Sequence, residues 1–226
     1  MTNERLLRAM AEELKLPLLQ IARQAELVQG ASDANTLSSI EAAANQALWF
    51  VDSYILSREL ASQTQLDLQP VAVSAVLHEA AQLLAGLARA YECELELKLS
   101  GRYEPVMAHP QALRAALVGL GGSLIAAGEP GQKHRVVFAA HRGRGGVVAG
   151  VFSDTDGLSQ TVFRRGKALY GRASHPISDY SAQGGAGIFV ADSLLNSMES
   201  KLRVAHHHKL SGLAATLPTS RQLSLV

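Results

Sequence analysis

Two long runs of apolar residues at helical spacing, separated by a short polar break, set the tightest constraint on how this chain can fold. Between residues 4 and 29, Leu7, Met10, Leu14, Ile21 and Val28 recur three, four or seven apart, with Leu18 and Ala25 beside them. That spacing keeps one stripe of a helix apolar and amounts to an a/d seam. The stretch QGASDAN, residues 29–35, interrupts it: Gly30 suits the position just past a helix end, and Ser32, Asp33 and Asn35 can each cap a new helix. The pattern resumes through Leu37, Ile40, Ala44, Ala47, Val51 and Tyr54, widened by Leu48, Trp49 and Ile55. Two long helices with so short a link form an antiparallel hairpin. One hairpin cannot bury two wide apolar stripes by itself, whereas two copies can, as a four-helix bundle. Residues 1–65 are therefore read as a dimerisation hairpin and the protein as a homodimer; the competing reading packs the hairpin on the rest of its own chain.

From residue 66 the texture changes. LDLQPV is a short alternating strand, residues 73–92 have helical spacing at Val76, Leu77, Leu83, Leu84 and Leu87, and CELELKLS alternates strictly. Pro110 opens a helix over 110–127, since proline costs nothing in a first turn. RVVFAAHRG and GVVAGVFSD are two strands around the turn RGRGG. An irregular stretch, 154–183, then precedes a helix over 188–198 and two final strands, KLRVAH and GLAATLP. Helices interleaved with mostly hairpin-connected strands predict an α+β sandwich over residues 66–226, with helices on one face of a mixed sheet.

The net charge of +1 gives no basic field of the kind that nucleic acid requires. Cys93 is the only cysteine, so no intrachain disulfide can form. No apolar run approaches the roughly 18–20 residues that span a bilayer, and MTNERLLRAM has no signal-peptide core. A cytoplasmic protein without a membrane segment of its own is expected.

One local feature disturbs the first helix. In MAEELKLPLL, residues 10–19, Pro17 falls where the helix should continue, at a cost of about 3 kcal/mol in an ordinary interior. Taken with the order of elements, this stretch resembles the phosphoacceptor box of bacterial two-component sensor histidine kinases. In that family a histidine is followed by an acid, a basic residue, Thr or Asn, and Pro. LDLQPVAVSAVLHEAAQLL resembles the start of the family's ATPase-like domain, and VMAHPQALRAALVGLGGSLIAAG the strand and helix of its asparagine-rich nucleotide box. GVFSDTDGLS and GGAGIFVADSLL stand where its two glycine boxes belong, and LSGLAATLP is like its last strand. The resemblance covers nearly the whole chain and implies a dimeric helical hairpin followed by an ATPase-like α/β sandwich.

The same alignment implies that the chemistry has been removed. The phosphoacceptor position is Glu12, which cannot form a phosphoramidate, and the first histidine of the chain is His78, beyond the hairpin. Glu13 matches the adjacent acid, whereas the position used to hold an attacking water is Leu16, which has no hydrogen-bonding group. The two asparagines of the nucleotide box are Gly119 and Ser123. Asp154 aligns with the adenine-reading aspartate, but in DTDGL the glycines are displaced, leaving only Gly157 nearby. Gly184, Gly185 and Gly187 keep a glycine-rich helix start, where backbone amides favour an anion, and Arg164, Arg165, Lys167 and Arg172 lie in the segment corresponding to the family's lid.

Simpler readings stand beside each feature. Glu12 falls opposite the seam and is equally an ordinary surface charge. HHHK, residues 206–209, could suggest metal, but neighbours on a strand point to alternate faces, so at most two of the histidines could share an ion. DTDG is equally an ordinary turn, RRGK a solvated basic loop, and Cys93 a packed small residue. The resemblance thus implies a non-catalytic scaffold or regulator with no cofactor and no metal, binding a response-regulator receiver domain or another histidine kinase. Its binding face would include Glu12, Leu16, Leu18, Leu19 and Arg23. The alternatives are a divergent kinase that uses ATP and magnesium at a rearranged site, and a dimeric phosphotransferase, a type that keeps its hairpin histidine.

Overall fold

The computed structural model describes residues 34–128, 132–154 and 185–220, together with Leu14, Leu18, Leu19 and Ile21, which are helical. The remaining residues of the expected first hairpin helix and its link lie outside the described residues. The second hairpin helix, α1, runs Ala34–Ser62 as one piece.

The buried side of α1 faces its own chain. Ala43, Phe50 and Ser57 recur every seven residues, as do Ser53 and Leu60, and all five are buried. The two serine hydroxyls donate to the helix's own carbonyls, Ser53 to Trp49 and Ser57 to Tyr54, each at 2.8 Å, so their burial leaves no donor unpaired. This face packs against three helices of the following sandwich. The expected seam positions Ile40, Ala44, Ala47, Val51 and Tyr54 are half-buried. Leu37, Leu48 and Ile55, spaced by whole numbers of turns, form a second apolar stripe that stays exposed.

The sandwich is built from β1 (Gln69–Val71), α2 (Val73–Ala90), β2 (Cys93–Leu99), β3 (Val106–Ala108), α3 (Pro110–Ala126), β4 (His134–Gly143), β5 (Gly146–Ser153), α4 (Gly185–Ser197), β6 (Arg203–His207) and β7 (Leu210–Leu217). Five strands form a mixed sheet in the order β2-β4-β5-β7-β6, parallel only between β2 and β4, while β1 and β3 make a small antiparallel ribbon. The parallel pair needs a crossover, and β3 with α3 supplies it. The helix expected over 188–198 begins three residues earlier, at Gly185.

One face of the sheet, through Phe138, Val151 and Leu213, joins the helices in the main core. The reverse face carries a second buried cluster that includes Val137, Val148 and Phe152. Strands β4 and β5 therefore read as continuous apolar runs rather than alternating ones, as strands covered on both faces do. Helix α3 is buried on nearly every side from Ala112 to Ile125, with only Arg114 exposed. It starts cleanly because Pro110 sits in its first turn and His109 Nδ1 accepts the Ala112 amide at 3.3 Å.

Candidate functional site

Helix α3 holds the sequence GLGGS, and each small residue in it serves a different contact. A Cβ on Gly121 would lie 2.5 Å from both Leu84 of α2 and Phe138 of the sheet. Gly122 faces α2, with ordinary contact distances of 3.7 Å to Leu84 and 3.9 Å to Leu87. Gly119 faces α4 and α1: a Cβ there would lie 3.2 Å from the Gly187 carbonyl and 3.3 Å from Cη2 of Trp49. Gly187 in turn approaches α3 so closely that its own Cβ would collide with the Ser123 hydroxyl. Glycine is a poor helix former, and its presence here is explained by this backbone-to-backbone approach of α3 and α4.

The structure thus brings together Gly119, Ser123 and Gly187, with Gly185 at the first position of α4. It adds Trp49, which sequence reasoning placed only at the edge of the hairpin stripe. Being the single tryptophan of the chain, next to a seam and followed later by a helix of unexplained glycines, was the available signal. Ser123 is buried.

Beside this contact lies a cavity of about 520 Å³ between α1, α2 and α3, with Leu14 on one wall. Leu83, Leu87, Val118 and Trp49 make its walls largely apolar, and Asn45, Gln46, Asp52 and Ser123 supply polar groups. Leu48 and Leu83 at the lining are more than half exposed, so the cavity opens to solvent.

Asp154 lies elsewhere. It is exposed at the end of β5, where its Oδ1 accepts the Arg135 amide at 2.8 Å and its own amide donates to the Arg135 carbonyl at 3.3 Å. Its carboxylate therefore extends the β4–β5 ladder by one rung, and it is not among the described residues that line the cavity. The Arg135 guanidinium reaches Glu96 at 3.3 Å, and Lys98 reaches it at 2.7 Å. The hydrogen bond from Lys98 holds the Glu96 carboxyl below the usual carboxylate range; burial opposes it, and the hydrogen bond from Arg135 adds to the lowering.

Leu18 and Leu19 are helical and exposed. Glu12, Glu13, Leu16, Arg23, Gly157, Gly184 and the four lid cations fall outside the described residues. Cys93 is a packed residue at the start of β2. Burial pushes its thiol up to about 11, with Asp154 and Glu94 adding to the effect and a hydrogen bond from the Val136 backbone opposing it. Such a thiol holds almost no thiolate at neutral pH. Of the histidine run, His206 meets the Ser211 hydroxyl at 3.3 Å, and His207 packs between the rings of Phe152 and His208. Among the described residues, no group of three or more ligating side chains could hold a metal ion, and no helix is long and apolar enough to cross a membrane.

No protein-family model matches the sequence, and no curated protein is detectably similar to it. Solved structures are. Histidine kinase AdeS of Acinetobacter baumannii superposes with a TM-score of 0.55 at 12% identity, over 92% of this chain and 98% of its own. Full-length ShkA, solved in complex with AMPPNP, gives 0.57 at 20% identity, over 97% of this chain and 47% of ShkA. The catalytic domain of histidine kinase ThkA gives 0.54 at 10% identity, over 68% of this chain and 97% of that domain. At these identities it is the order and packing of elements that is shared, and on that ground the chain has the fold of a histidine kinase core.

Proposed function

We propose that this protein is a non-catalytic two-component signalling protein: a pseudo-histidine kinase acting as a dimeric scaffold or regulator. The observation that carries this reading is the contact of Gly119 and Ser123 with Gly187 and Trp49. The positions that would carry the magnesium-binding asparagines have no side-chain carbonyl, and the space in front of Gly119 is taken by the Gly187 carbonyl and an indole ring. A phosphate tail with its magnesium needs oxygen ligands and open room at that point. The glutamate at position 12 supports the same conclusion from the other half of the reaction, since its carboxylate cannot serve as a histidine-type phosphoacceptor.

With both half-reactions lost, binding is what the fold retains. The exposed stripe of Leu37, Leu48 and Ile55 supports dimerisation through the hairpin, and exposed Leu18 and Leu19 support a docking face for a receiver domain or a partner kinase. Glu12, Leu16 and Arg23 complete that face in the proposal.

The test is incubation with labelled ATP and magnesium. The expected result is no acid-labile incorporation; label on the protein would overturn the scaffold reading in favour of a divergent kinase. Leu16→Arg should abolish receiver or kinase binding while light scattering still reports a dimer, and unchanged binding in that variant would mean the docking face is wrong.

A further inference from the structure

The cavity between α1, α2 and α3 is large, open and mostly apolar, and the scaffold reading gives it no role. Its volume of about 520 Å³ is that of a small-molecule site. It lies where two structural units meet, the hairpin helix on one side and the sandwich helices on the other, a common place for such sites. Its size and lining also say what could occupy it.

Charge comes first. Asp52 is the only ionised side chain among the described lining residues, and no lysine or arginine is among them. An anion, above all a nucleoside triphosphate, would meet a carboxylate with no cation to offset it. Shape comes second. Gly86 lines the cavity with no atom within 4 Å of the Cβ it lacks, so open space stands where a side chain would otherwise project, and a flat molecule can approach the α2 backbone closely. Trp49 supplies an aromatic ring on the lining, suited to offset stacking on another ring and to attraction of a cation. The Asn45 and Gln46 amides offer both donors and acceptors for one or two polar atoms.

We propose that this cavity is a binding site for a planar aromatic molecule of two or three rings, neutral or singly cationic. It would be held against Trp49 between the hairpin and the sandwich. A molecule there touches α1, α2 and α3 together, so its binding strengthens the attachment of the hairpin to the sandwich. The proposal goes beyond the scaffold reading and does not rest on it, because it concerns neither the phosphoacceptor position nor the docking face.

The sole tryptophan makes the test direct, because any change in intrinsic tryptophan emission belongs to Trp49. The full chain is titrated with 2-aminoanthracene, a neutral planar three-ring amine whose absorption overlaps tryptophan emission, and in parallel with magnesium–ATP. The expected result is saturable quenching of Trp49 by the neutral probe, one site per chain, with a Kd of about 1–10 µM, and no quenching by magnesium–ATP. Gly86→Phe is the blocking variant. No atom lies within 4 Å of the Cβ that Gly86 lacks, so the new ring extends into open space, and replacing a glycine inside α2 favours the helix. It should weaken probe binding about tenfold or more without lowering the melting temperature. Leu83→Gln, at the exposed rim, should weaken binding as well and stands in for the first variant if that fails to fold. Absence of saturable quenching, equal binding to the variants, or displacement of the neutral probe by magnesium–ATP would each overturn the proposal. Label incorporation in the kinase test would sink the scaffold reading and leave this one standing.

Discussion

His207 sits where its surroundings oppose protonation. Burial is the largest cause of its lowered pKa, followed by the positive charges of His208, His141 and Lys98. Its imidazole lies against Phe152, on the reverse face of the sheet. The unfolded chain takes up a proton near pH 6.5 that the folded protein resists, so this group's contribution to stability is fully present above that pH and is lost as the pH falls below it. Thermal melts from pH 8 to pH 5 should therefore fall more steeply for the wild-type protein than for His207→Gln, with the divergence beginning near pH 6.5. Parallel curves would show that His207 is not responsible.

Within α3, neighbouring glycines differ in what they tolerate, because one faces a filled core and the other an ordinary contact. Gly121→Ala places a methyl 2.5 Å from Leu84 and from Phe138, a ring with no exposed surface, and overpacking of that kind costs about 1–3 kcal/mol. Gly122→Ala meets nothing closer than 3.7 Å and gains helix propensity, so it should stabilise by about 0.5–1 kcal/mol. Denaturant titrations of the two variants should shift in opposite directions. A run of glycines looks helix-breaking in sequence, and only their neighbours explain why this helix holds. The rest of the element order was readable. Alternation marked β2, the 3.6-residue period marked α2, and Pro110 marked the start of α3, since these signals are local and the fold does not override them.

At the scale of the whole molecule, the hairpin helix and the sandwich meet through Trp49. Gly119→Asn combined with Ser123→Asn gives α3 the residue types of an asparagine-rich box, yet the new side chain at position 119 meets an indole carbon at 3.3 Å and a carbonyl at 3.2 Å. The double variant should lose about 1–3 kcal/mol of stability and gain no magnesium–ATP binding by calorimetry. If it binds nucleotide, the site was limited by residue type alone and not by the packing of α1. The same contact explains why α1 carries two apolar stripes: Phe50 and Leu60 attach it to its own sandwich, and Leu37, Leu48 and Ile55 remain outward. The sequence could count the apolar residues on this helix but not divide them between an internal and an external partner.

What the sequence determined by itself was the order of elements and the absence of a histidine before His78, because each is a matter of residue type and local period. What only the tertiary structure decided was how the GLGGS segment of α3 is packed. Gly119, Gly187 and Trp49 are far apart along the chain and belong to three different helices, and no local pattern says that a ring from one will meet the backbones of the other two. Nor could spacing place Asp154 away from that contact, since its position follows from the β4–β5 register, in which its carboxylate serves as the last rung. Close packing is a property of pairs of surfaces, and a single sequence describes one surface at a time.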